Sequence, residues 1–305
     1  MKVLFLGSSA FSIGVLGELL KSKHEVVAVI CQPDRPSGRG HKLVAPQIKE
    51  YAQNLGLKVL QYERVNRNID EIFAMDFDVF VTASFGQIIS REFLSKKMAL
   101  NVHPSKLPKY RGATPLQYAL MNGDKETSVS IQKMEYEVDS GDIILCEDIK
   151  IDDEDTFSSL SEKTAKLGGE LLVKSLDLIE SGKVKFYPQD GSKATFTKMI
   201  KKEDGLLDFN NRAEDLVNRV RALGENPGCY FFIGEDRIKV QKLAICRDFE
   251  LKIGEIKVIN KQFLIGARDG CVKALKCQNP NGKMLDAKDF LNGYKFKSEK
   301  VNTCC

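Results

Sequence analysis

The sequence predicts an α/β fold in which a doubly wound, mostly parallel sheet is followed by a small all-β domain. Three observations support this. Strand-sized apolar runs alternate with helix-patterned ones from residue 2 to residue 182, the pattern of a parallel sheet with helices on both faces. A polar stretch at 183–205, containing Pro188, Gly191 and Gly205, then interrupts the pattern. Beyond it, five short strand-sized runs separated by Gly, Asp or Asn fit within residues 230–277, which suggests a small barrel. The expected organisation is therefore 1–182, a linker at 183–205, and 206–305.

In chain order, residues 2–6 form a buried strand and Gly7 starts a turn. Residues 11–20 have helical apolar spacing, and 26–30 form the second strand. Residues 44–55 read as a helix and 59–60 as a short strand. Residues 79–83 are a clear buried strand, and 100–102 another. Runs at 128–134 and 143–149 flank an acidic turn as a hairpin or edge pair. Residues 156–179 form the longest helix, with Asp155 as its N-cap and Gly182 just past its end. After a helix at 213–223 come strands at 230–233, 238–244, 255–259, 262–265 and 271–277, then a closing helix at 286–291. The first strand's turn lacks Gly-x-Gly-x-x-Gly, because the next glycine after Gly7 is Gly14. This argues against a nicotinamide site.

Composition sets outer bounds. At 305 residues, 43% hydrophobic and 29% charged, the chain can bury a core without disulfides or metals. No apolar run approaches the ~20 residues of a membrane span, and the opening Met-Lys-Val-Leu-Phe-Leu-Gly reads as a strand rather than a leader. No membrane partner is expected. The eight cysteines include no Cys-x-x-Cys pair, so zinc-ribbon and redox spacings are absent, no metal is expected, and reduced thiols in a cytoplasmic protein are the reading. Net charge is +4, with residues 1–205 near neutral at −1 and 206–305 at +5. A basic C-terminal part suits a polyanionic partner, although such charge also serves simply to solvate a surface.

The most informative segment is Asn101-Val-His103-Pro-Ser105-Lys-Leu107-Pro108-Lys-Tyr110-Arg111-Gly112. Asn101 and His103 lie two apart at the end of an apolar strand, so both side chains point to one side. A lone His beside Pro more often shapes a loop than catalyses. However, a second segment, Asp139-Ser-Gly141-Asp142, places carboxylates at a turn, where one could orient an imidazole and hold its charge.

Together these segments resemble the formyltransferase family that uses 10-formyltetrahydrofolate. Residues 195–209 (Thr-Phe-Thr-Lys-Met-Ile-Lys-Lys-Glu-Asp-Gly-Leu-Leu-Asp-Phe) and the loop Gln32-Pro-Asp-Arg-Pro-Ser-Gly-Arg-Gly40 extend the resemblance over almost the whole chain. Departures are Pro104 where Gly is usual, Lys106 where Leu is usual, the lack of Thr-Pro after Gly7, and Phe209 where Trp is common. The resemblance implies a Rossmann-like catalytic domain at 1–182 and an OB-like tRNA-binding domain at 206–305. It implies transfer of a formyl group from 10-formyltetrahydrofolate to the α-amine of methionine on initiator tRNA, for translation initiation. Asn101 and His103 would offer N–H groups to the oxyanion, while Asp139 would keep His103 charged and help remove the amine's proton, with general base a second role for His103. The folate co-substrate would meet Phe85, Gly86, Gln87 and Ile88, together with Ser105, Leu107, Pro108 and Asp142. Arg35, Arg39, Lys42, Lys201 and Lys202 would face tRNA, though any of them could be mere surface charge. No apolar stripe is left over, so a monomer is expected.

Two other readings share these residues. An enzyme of the same fold could formylate a nucleotide-linked amino sugar, and the basic, glycine-rich 32–49 segment favours tRNA over it. A non-catalytic RNA-binding protein would have no physical reason to keep Asn101, His103 and Asp139.

Overall fold

The structure is a computed structural model that describes residues 1–37 and 42–302. Arg39, His41 and the Cys304-Cys305 tip lie outside the described residues. The described chain separates into two compact units. The first comprises Met1–Pro115, Glu126–Lys150 and Ser158–Thr197, and the second comprises Leu116–Lys125, Ile151–Phe157 and Lys198 onward.

In chain order the elements up to residue 197 are β1 (Lys2–Gly7), α1 (Ala10–Leu19), β2 (Glu25–Cys31), β3 (Arg35–Ser37), β4 (Lys42–Val44), α2 (Gln47–Asn54), β5 (Val59–Gln61), α3 (Ile69–Phe73), β6 (Val79–Ala83), α4 (Arg91–Lys96), β7 (Met98–His103), β8 (Arg111–Gly112), α5 (Pro115–Met121), β9 (Glu126–Lys133), β10 (Ile143–Lys150), α6 (Phe157–Glu180) and β11 (Phe196–Thr197). The first unit's sheet has the order β5-β2-β1-β6-β7-β9-β10. Its first five strands are parallel, β9 runs antiparallel to β7, and β10 runs antiparallel to β9. The flanking acidic-turn strands are thus an antiparallel pair at one edge, as the sequence suggests.

Both sheet faces are covered. Along β1, Val3 and Phe5 join a core with Val15, Leu19, Leu172 and Leu176, while Leu4 and Leu6 join a second core with Ile72, Phe80 and Phe93. Alternation along a doubly buried strand produces this split. From β1 the chain moves to β2 on one side and later to β6 on the other, so the crevice at the C-ends of β1 and β6 is a topological switch point. Gly7 pairs with Ala83 there.

Some expectations shift. Residues 44–55 do not form one helix: Val44 ends β4, and α2 starts at Gln47, because Pro46 disfavours helical backbone at Ala45. Residues 183–205 are not a free linker along their whole length. Tyr187 exchanges backbone hydrogen bonds with Ile143, and β11 pairs in parallel with β8, so the chain up to Thr197 groups with the first unit.

The second unit contains α7 (Ala213–Leu223) and the antiparallel strands β12 (Cys229–Ile233), β13 (Asp236–Cys246), β14 (Ile256–Ile259), β15 (Gln262–Ala267), β16 (Gly270–Gln278) and β17 (Leu285–Asp286), followed by α8 (Ala287–Gly293). The order is β12-β13-β16-β15-β14, with β17 on β16. The two edges are joined by the last described residues: Ile256 N–H donates to Glu299 O, Val301 N–H to Gly254 O, and Asn302 N–H to Phe232 O. Phe209, at the position where Trp is common, is fully buried and edge-on to Phe231.

Candidate active site

The acidic turn is shaped by its backbone. Asp139 adopts a left-handed φ of 51°, and a Cβ at Gly141 would lie 1.7 Å from Lys133 O, so only glycine fits beside β9. This turn points Asp139 at the end of β7. Asn101 Nδ2 donates to Asp139 Oδ1 at 3.1 Å, and His103 Nδ1 lies 3.5 Å from Asp139 Oδ2. The three side chains singled out from the sequence therefore converge.

Asp139 has two more donors. Gln132 Nε2 reaches Oδ1 at 2.8 Å, and the Gly112 backbone N–H reaches Oδ2 at 2.8 Å. Gly112 has φ +110°, and a Cβ there would sit 2.7 Å from Thr197 O, so β11 holds this N–H in place. Three hydrogen-bond donors thus surround one carboxylate, with the His103 imidazole beside it at ion-pair distance.

His103 is buried. Its Nε2 donates to Tyr110 O at 2.9 Å, since a carbonyl can only accept. Pro104, which disfavours helical backbone at His103, is compatible with this residue ending β7. On the other side of Asp139, Asn101 Oδ1 accepts from Thr82 Oγ1 at 2.8 Å. Thr82 and Asn101 are register partners of β6 and β7.

Three side chains around this site, Gln132, Gln189 and Arg111, carry no assigned role in the sequence reading. Ser128, Ser130 and Gln132 are all buried polar residues at every second position of β9, a pattern that would have marked a polar strand face. Gln132 Oε1 is also buried without a hydrogen-bond partner. Gln189 gives no local signal, yet its Nε2 donates to both Asp139 O (2.9 Å) and Gly141 O (2.7 Å). Arg111, itself buried, donates from Nε and Nη2 to Gln189 Oε1.

The residues expected around the folate are placed unevenly. The Phe85 ring is in the core, and its carbonyl accepts from Ser8 Oγ and Gln32 Nε2. Gln87's amide is engaged with Val65 N, Tyr62 O and Gln32. Ser105 is buried, donating to Lys109 O, and Leu107 is buried. Pro108 is half-buried. By contrast, Ile88 is 74% exposed, and Gly86, at φ +81°, has open space about it apart from Gln32. Asp142 is half-buried, and its carboxylate has no partner among the described residues. Of the residues expected to face tRNA, Arg35 forms a two-pronged ion pair with Glu63 (3.2 and 2.6 Å). Lys201 and Lys202 are exposed beside a short 3₁₀ turn. The side chain of Lys42 is not described, and Arg39 lies outside the described residues. Among the described residues, no group of three or more His, Cys, Asp or Glu side chains could hold a metal ion, and no helix is long and apolar enough to cross a membrane.

Residues 1–176 match the Formyl transferase family model, and residues 199–295 match the model of the Formyl transferase C-terminal domain. The chain belongs to the formyl transferase family. Among its relatives, the methionyl-tRNA formyltransferase of a Sulfurihydrogenibium species is 37% identical over 98% of this chain and 98% of its own length, and that of Lactobacillus acidophilus is 39% identical over 95% of each. In fold, the chain is also similar to an N-formyltransferase from Helicobacter canadensis solved with folinic acid and dTDP-3-aminofucose. The TM-score is 0.68 at 19% identity, covering 92% of this chain and all of that one.

Proposed function

We propose that this protein transfers the formyl group of 10-formyltetrahydrofolate to the α-amine of methionine on initiator tRNA, supplying formylmethionyl-tRNA for translation initiation. The observation that carries this is the convergence of Asn101, His103 and Asp139 in one hydrogen-bonded group, in a chain similar end to end to methionyl-tRNA formyltransferases. In this reading residues 1–182, braced by Gln189, do the chemistry, and 206–305 grip the tRNA as an OB-like module. The enzyme works as a cytoplasmic monomer.

Attack of the amine on the formyl carbon places negative charge on the formyl oxygen, and the residues divide the work of meeting it. Asp139, held by three hydrogen bonds, acts as a fixed anion that orients Asn101 and the imidazole. His103 faces an acceptor at each ring nitrogen, and imidazolium satisfies both, whereas a neutral ring would turn a lone pair toward a neighbouring oxygen. In this role it would hold positive charge beside the forming oxyanion; the amine's proton leaves to solvent, and collapse of the tetrahedral intermediate breaks the bond from the formyl carbon to N10, which takes up a proton as tetrahydrofolate departs. Asn101 spends one Nδ2–H on Asp139, leaving the other as the donor for the developing oxyanion. Such a donor is worth about 3 kcal/mol of barrier. Gly86, Ile88 and Asp142 suit a flat, hydrogen-bonding pterin at the strand C-ends: open backbone, an exposed apolar side chain and an uncommitted carboxylate. Arg35, Arg39, Lys42, Lys201 and Lys202 would meet tRNA phosphates, with Arg35 giving up Glu63 to do so.

The test is to incubate the purified protein with 10-formyltetrahydrofolate and, in parallel, methionine-charged initiator tRNA or nucleotide-linked amino sugars. Formylmethionine recovered from the tRNA is the expected product. Formylated sugar with untouched tRNA would transfer the assignment to the sugar-modifying reading.

A further inference from the structure

From the chain of contacts behind Asn101 we infer that Thr82 is a positioning residue for formyl transfer, bracing and polarising the amide that meets the oxyanion. This rests on the role proposed above for Asn101. Thr82 is buried at the C-end of β6 and faces Asn101 across the β6–β7 register. Its hydroxyl has three acceptors within reach: Asn101 Oδ1 at 2.8 Å, Met134 Sδ at 3.3 Å and Leu100 O at 3.4 Å. The thioether sulfur is a weak acceptor and the Leu100 carbonyl is distant, so the proton goes to Asn101.

A carboxamide has two planar orientations that differ only in the exchange of O and NH₂. Asp139, which can only accept, selects the one with Nδ2 toward it, and the Thr82 hydroxyl then braces that orientation by giving its O–H to Oδ1. The result is a directed series, hydroxyl to amide oxygen and amide N–H to carboxylate, in which each hydrogen bond polarises the next. Donation to Oδ1 draws electron density from the amide nitrogen, making the remaining Nδ2–H a stronger donor. It also holds the side chain against rotation about the Cβ–Cγ bond, so that this N–H stays aimed where charge develops. Preorganised donors gain their catalytic value from not having to reorient during the reaction. No other hydrogen bond to Asn101 Oδ1 occurs among the described residues, so nothing else present replaces Thr82 in this role.

The experiment compares Thr82→Val, Thr82→Ser and Asn101→Ala in steady-state formylation, with thermal unfolding measured for each. Valine keeps the branched shape and removes the hydroxyl, while serine keeps the hydroxyl and removes a methyl. Thr82→Val is expected to lower kcat by about fivefold to tenfold, the loss of one neutral hydrogen bond, with KM for both substrates unchanged. Thr82→Ser is expected to stay within twofold of the parent kcat even though it unfolds at a lower temperature. A packing role would give the opposite ranking, with serine impaired and valine normal, and that ranking would overturn the inference, as would a parent-like kcat in Thr82→Val. If Thr82→Val fails to fold, Thr82→Ala and Thr82→Ser provide the comparison, and equal kcat losses in the two reject the inference. Asn101→Ala separates the two levels. Its failure to lower kcat would remove the oxyanion assignment itself, whereas a crippled Asn101→Ala beside a normal Thr82→Val would remove only the role of Thr82.

Discussion

At the residue scale, the site is organised around one carboxylate. Asp139 accepts from Asn101, Gln132 and the Gly112 N–H, and the His103 ring lies 3.5 Å from its Oδ2. In the proposed mechanism its task is to fix the Asn101 amide and the imidazole. Asp139→Asn retains the shape but replaces one oxygen with an NH₂ that must confront donors already pointing at it. His103→Ala removes the charge while leaving the Asn101–Asp139 contact. Both variants are expected to fold, with far-ultraviolet circular dichroism like the parent, and to lose about 10²- to 10⁴-fold in kcat, the range for removal of a positioned charge or donor. Near-parental turnover in either variant would withdraw its assigned role.

At the element scale, the acidic turn and its braces matter more than any regular strand. Gly141 packs against β9 with no room for a methyl group, since its Cβ would stand 1.7 Å from the Lys133 carbonyl. Gly141→Ala must therefore push the turn away and pull Asp139 off the end of β7. We expect a stability loss of about 2–4 kcal/mol, read as a lower denaturant midpoint, together with a kcat loss larger than the stability change explains at permissive temperature. This scale also shows what the sequence can reveal. Strand β6 is readable to the residue as an unbroken buried run, and helix α7 from the period its one buried face imposes. Asn101 and His103 are readable as a same-side pair because strand side chains alternate. Helices α3, α4 and α5, at five to seven residues, fall below the length at which helical periodicity is visible, and packing rather than propensity sustains them. Gln189 is unreadable for a different cause. It sits in a polar run that looks like linker, and its function arises only when that run hydrogen-bonds against the Asp139 turn with Arg111 behind it. The 85–88 loop shows the reverse error: Phe85 and Gln87 look available in the sequence, but the fold commits one to the core and the other to backbone groups.

At the scale of the whole molecule, two properties of the second unit are testable. Residues 299–302, through three backbone hydrogen bonds and the buried Val301, cover its sheet edges at β14 and, together with Leu207 on Tyr230, at β12. Ending the chain at Ser298 should cost roughly 3–5 kcal/mol, from three hydrogen bonds and one apolar side chain. Calorimetry should show this as a lowered transition for the second unit, and an unchanged thermogram would mean the linkage is not stabilising. The other property is charge. Residues 206–305 carry a net +5, while 1–205 sum to −1, and Lys201 and Lys202 stand exposed just ahead of the basic part. If these lysines meet tRNA phosphates, each releases about one counterion on binding. Replacing both with Ala should then weaken initiator-tRNA binding at low salt and reduce the slope of log K against log salt by about two, leaving folate affinity at the parent value. Because they do not contact the formyl carbon in this reading, kcat at saturating tRNA should also hold. A drop in kcat with an unchanged salt slope would place the two lysines in the catalytic arrangement and not at the tRNA backbone.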